Sequence, residues 1–144
     1  MVSVAGILVL VLGLIAWVGQ SLTFVAPSIA IRLGVLEPED EVDPTLHIIE
    51  ARAEGLVDML LAWTLPASAL LMILDHPSWP YLAFFGAGVF LYFSGLITLS
   101  RVFLKGTGRK VGRPASERAA YLFGGLWAAC AVMMVVFAVL HISA

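Results

Sequence analysis

Four runs of apolar residues, each long enough to cross a bilayer, alternate along this chain with three polar connections. A hydrocarbon core of about 30 Å takes about 20 helical residues, and the runs at 4–25, 55–74, 79–99 and 119–142 meet that length. They predict an all-α, integral membrane four-helix bundle that uses residues 1–144 as a single domain. Pro66 falls inside the second run. It predicts a kink or a freed carbonyl near Ala62, which membrane helices tolerate.

The connections differ in chemistry. The first, about 26–52, is acidic at its centre, from Glu37 to Asp43, and ends in Asp43-Pro44. That pair fits an N-cap and first helical residue, so the second helix should begin well outside the membrane. The charge and prolines of Glu37–Asp43 predict a solvated segment. The second connection, Asp75 to Tyr81, reads as a tight turn with interfacial aromatics. The third, about 101–118, is basic and glycine-rich. All eight Lys and Arg residues lie in or beside the first and third connections. The positive-inside rule therefore places those two in the cytoplasm and both termini outside.

Composition agrees: 61% of residues are apolar and 12% charged, where soluble domains average about 25% charged. The start of the chain has no basic residue before its apolar run and no convincing cleavage site, so no signal peptide is expected. The expected location is a multi-pass position in a prokaryotic inner membrane. No separate soluble domain is expected in 144 residues. Cys130, the lone cysteine, sits in an apolar run and reads as filler.

Candidate chemistry gathers at one depth. Stepping 100° per residue, His47, Glu50, Glu54 and Asp58 fall within an arc of about 80° on the second helix. Asp58 lies inside the apolar run, where a carboxylate costs roughly 2.5–3.5 kcal/mol on insertion scales unless paired or wetted. Arg101 is the expected partner of Asp58, and Glu54 with Arg118 a second pair. Gln20, Thr23, Thr98, Ser100 and Tyr121 fall at the same end of the bundle. Three readings follow: interhelical ion pairs that staple the bundle, a cytoplasm-facing pocket, or conduction of ions or protons by a small transporter. His47-x-x-Glu50 with Glu54 has metal-ligand spacing, but a second such motif is missing, and no metal is expected. The basic connection implies topology and contact with anionic headgroups rather than nucleic acid. Gly86, Gly88, Gly95, Gly124 and Gly125 read as sites of close helix packing. No arrangement for nucleophilic catalysis is evident.

Span order, loop lengths and sidedness resemble the MAPEG superfamily, the four-helix membrane proteins of eicosanoid and glutathione metabolism. Members open the second helix with Arg-x-x-x-Asn-x-x-Glu. Here Asp58 stands for the Glu and Gly55 for the Asn, while Ala51 takes the Arg position and Arg52 follows one residue later. Ser100-Arg101-Val102-Phe103-Leu104 is similar to the family's third-helix ending, and Arg118 and Tyr121 lie near the start of the fourth helix. The resemblance implies a homotrimer in the lipid bilayer with sites between subunits. It implies glutathione as cofactor and transfer of its thiol to a lipophilic small molecule. Arg101, Arg118 and Tyr121 would then hold the thiolate and anionic groups, since a nearby cation lowers a thiol pKa. Arg52, Glu54 and Asp58 would bind the rest of the cofactor.

Overall fold

The computed structural model describes residues 2–143 and is a bundle of four long helices, each apolar enough to cross a membrane. We number the helices α1 (Val2–Val25), α2 (Pro27–Arg32), α3 (Pro44–Ile73), α4 (Trp79–Gly106) and α5 (Pro114–Ile142). Helix α2 is a short turn of chain after the first span. The other four form a ring in which α1 packs on α3, α3 on α4 and α4 on α5, while α1 and α5 barely touch. That open seam matters below.

Helix ends follow capping chemistry more than hydropathy. Asp43 caps α3, its carboxylate accepting from the Thr45 N–H at 2.9 Å, and Pro44 supplies the first helical residue. Pro114 likewise opens α5. Helix α4 runs seven residues past its apolar stretch, from 99 to Gly106, so the expected 101–118 connection contracts to 107–113. Within α3 the chain turns at Ala62 and Trp63. Pro66 has no N–H for the Ala62 carbonyl, which accepts instead from Leu65 at 3.1 Å.

The core is built at helical spacing. Ala5, Val9, Leu12 and Ala16 of α1 face Leu65, Ala69 and Met72 of α3, and Phe90, Phe93 and Trp127 join α4 to α5. Trp127 stacks on Phe90 at 6.3 Å and meets Phe93 edge-on at 6.2 Å. The outward faces are equally apolar, with Val4, Ile7, Leu60 and Leu122 exposed, as a lipid solvent requires. Only some of the expected glycines pack closely, while Gly6 and Gly13 of α1 do so as well. A Cβ on Gly86 or Gly124 would press on the neighbouring helix, whereas Gly88, Gly95 and Gly125 have open space. Trp79 also departs from expectation: it is fully buried against His141 rather than interfacial.

The acidic segment is the largest correction. Its centre, Glu39, Asp40 and Glu41, is exposed as expected, but both ends are not: Glu37, Val42 and Asp43, with the preceding Leu36, are buried. Its partner is the basic connection. Val42 bridges Val111 in antiparallel fashion, and the Asp43 N–H donates to the Lys110 carbonyl at 2.9 Å. Arg113 makes a two-point contact with Glu37, at 3.0 and 3.3 Å, and Arg109 donates to Asp43 at 2.6 Å. Gly112 sits at φ +105, where its bare Cα lets the Glu37 side chain approach. Two loops of opposite charge at one end of a bundle have thus neutralised each other, while Leu36 and Val42 anchor them.

This clasp predicts an acid sensitivity. The hydrogen bond from Arg109 holds the Asp43 carboxyl below its ordinary 3.8. Burial opposes ionisation of Glu37, but Ser116 and Arg113 outweigh it and hold that carboxyl below 4.5. Both pKa values are depressed on folding, so the stabilisation is fully present above about pH 4.5 and is lost as pH falls through the lowered values. Melting temperature against pH should therefore fall less steeply below pH 4.5 in Glu37→Gln than in the wild type. Equal slopes would show that the clasp adds nothing to stability.

Candidate functional site

The site begins with a widened turn in α3. Residues Ile49–Glu54 form a π-helical turn, a geometry that often marks functional positions. Gly55 follows it because α1 crosses there: a Cβ would lie 2.5 Å from Thr23 Oγ1 and 3.1 Å from the Phe24 nitrogen. The wide turn alters the phase of the helix, so the expected four-residue face is only partly realised. Glu50, Glu54 and Asp58 line one cavity. His47 is half-buried nearby but does not line it.

Arg101 comes from α4 and is 6% exposed. Its Nη1 lies 2.8 Å from Glu50 Oε1 and also donates to the Ile97 carbonyl at 3.2 Å. The expected partner was Asp58, and the reason for the difference is depth. Asp58 lies two turns further along α3 than Glu50, about 12 Å deeper, and Arg101 pairs with the carboxylate nearer its own level. The expected Glu54–Arg118 pair is also absent. Arg118 is exposed and donates to the carbonyl of Pro114 at 3.2 Å.

The remaining sequence candidates are elsewhere. Tyr121 donates to Glu117 at 3.0 Å, and Lys105 donates to the same carboxylate oxygen at 2.7 Å, forming a separate α4–α5 cluster. Arg52 is exposed. Within the subunit, Arg101, Glu54 and Asp58 are together; Arg52, Arg118 and Tyr121 are not with them.

Two cavities meet at Arg101. The smaller, about 40 Å³, holds the three α3 carboxylates together with Gln20 and Thr23. The larger, about 450 Å³, occupies the open seam between α1 and α5, within the usual size range of ligand pockets. Its walls are mostly apolar, including Ile15, Ala16, Ala119 and Phe123. Gln20, Val35, Ile97, Arg101 and Trp127 line both cavities and so form the partition.

Three buried polar atoms of cavity-lining residues have no partner among the described residues, Asp58 Oδ1, Arg101 Nε and Trp127 Nε1, and His47 Nδ1 nearby is a fourth. Buried polar groups are ordinarily hydrogen-bonded, so three orphans around two adjoining cavities are an unusual concentration. The sequence reading placed Glu50 on the acidic face of the second helix but gave it no partner, and it left Trp127 unremarked in an apolar run. Among the described residues no group of three His, Cys, Asp or Glu side chains is placed to hold a metal ion.

The fold and site define a multi-pass, all-α membrane bundle with a buried charged cluster at its loop-bearing end. In comparisons with known proteins the chain matches no family model, no curated protein and no solved structure.

Proposed function

We propose that this protein binds an amphipathic small molecule from the cytoplasmic half of the membrane. The lipophilic body would occupy the chamber between α1 and α5, and the polar head would reach the charged cluster past Arg101. One observation carries this reading: an apolar chamber of about 450 Å³ shares a wall with a polar cavity lined by four charged side chains. The head, together with any water it carries in, should supply both donors and acceptors. Asp58 Oδ1 needs a donor, while Arg101 Nε and Trp127 Nε1 need an acceptor.

A MAPEG-like glutathione transferase is a special case of this reading. Span order and the buried Arg101 would suit it, and it would require assembly into a trimer. It also calls for Arg118 and Tyr121 at the thiol, and both point away from the cluster within the subunit. The geometry therefore favours amphiphile binding over conjugation.

The test is thermal melting of the protein in lipid nanodiscs with candidate amphiphiles and, separately, millimolar glutathione. A ligand at 100 times its dissociation constant adds about 2.7 kcal/mol to the folded state, a readily measured shift. We expect a saturable shift with an amphiphile, lost in Ala119→Trp, which fills the chamber from an exposed wall position. No shift with any amphiphile would leave the charges as structural staples. A glutathione shift lost in Arg101→Leu would instead point to the transferase.

A further inference from the structure

We infer that the small polar cavity seats a primary ammonium group, the head of the amphiphile; this rests on the binding reading above and deepens it. The charged lining is three carboxylates, Glu50, Glu54 and Asp58, against one guanidinium, Arg101. Arg101 is committed to Glu50 at 2.8 Å. Glu54 and Asp58 have no salt-bridge partner among the described residues. Asp58 is 1% exposed and its Oδ1 lacks any hydrogen bond. A buried carboxylate in that condition is costly, and either a proton or a bound cation relieves it; the cation is the ligand inferred here.

Size narrows the class. The cavity is about 40 Å³, and a water-sized group needs about 10–15 Å³ of such space. An ammonium with a water or two fits that space, and a quaternary ammonium, lacking any N–H, would leave Asp58 Oδ1 without a donor. An anionic head would also face two uncompensated carboxylates. The ammonium brings three N–H donors, and Phe93 and Trp127 add aromatic surface to the lining, which favours a cation further. Because Arg101 and Trp127 also border the larger chamber, an alkyl tail has a continuous apolar path beyond the head.

The experiment compares four probes with one ten-carbon tail: decylamine, decanol, decanoate and decyltrimethylammonium. The readout is melting of the full chain in nanodiscs. Decylamine should raise the melting temperature saturably, with the other three at least tenfold weaker in apparent affinity. Asp58→Asn, which preserves shape, should weaken decylamine at least tenfold, and Glu54→Gln provides a second reading should that variant fail to fold. Glu39→Gln, in the exposed part of the acidic loop, should leave it unchanged. Equal binding of decanol or decanoate overturns the ammonium seat while leaving the chamber. Decylamine binding unaltered in both carboxylate variants places the amine elsewhere and also overturns it. If no probe binds, the chamber reading fails, and the seat with it.

Discussion

Arg101→Leu is expected to be the most damaging substitution among the charged residues, lowering stability by about 3–5 kcal/mol. The cause is the partner left behind. Glu50 Oε1 lies 2.8 Å from Arg101 Nη1, and the two side chains are only 15% and 7% exposed. Removing the guanidinium leaves a buried carboxylate with no counter-charge and also frees the Ile97 carbonyl. The double variant Glu50→Leu with Arg101→Leu should recover most of the loss, because a buried ion pair replaced by apolar side chains is often neutral. Thermal melting of the two single variants and the double variant completes the cycle. A coupling near zero would mean that the pair is not formed in the membrane.

That cycle uses Glu50, whereas the sequence alone directed attention to Asp58. The difference shows where sequence reading stops. The four apolar runs, the Asp43-Pro44 start and the break near Ala62 are written in local chemistry, and each appears in the fold. That Glu54, Asp58 and Arg101 gather toward the same end of the bundle was also legible, since span order alone fixes it. Pairing was not. It depends on height along the helix and on angular phase, and the π-helical turn at Ile49–Glu54 changes both without any proline or glycine inside it to announce it.

The loop clasp escaped for a different reason. An acidic run and a basic run separated by two spans each look solvated when read alone. Only their placement at the same end of the bundle makes Glu37–Arg113 and Asp43–Arg109 neighbours. The sidedness argument already placed both connections on one side, so the signal was present in the charge complementarity. The chamber between α1 and α5 left no such trace. It exists because the first and last helices hardly meet, a property of the ring rather than of any residue.

Asp58→Leu should raise stability by about 1–3 kcal/mol, the opposite sign to Arg101→Leu. Asp58 has no ion-pair partner to lose, and its Oδ1 is buried without a hydrogen bond. Leaving such a group unsatisfied costs about 1–3 kcal/mol, which an apolar side chain of similar size avoids. Apolar surface is available to it, since Phe93, Ile97 and Trp127 line the same cavity. If Asp58 were the staple of α3 to α4, the same substitution would destabilise, so the sign of the melting shift separates the two roles. On the binding reading the stabilised variant should also lose its response to decylamine. Proteins commonly retain such unfavourable groups where function needs them, and a gain in stability with loss of binding is the expected signature.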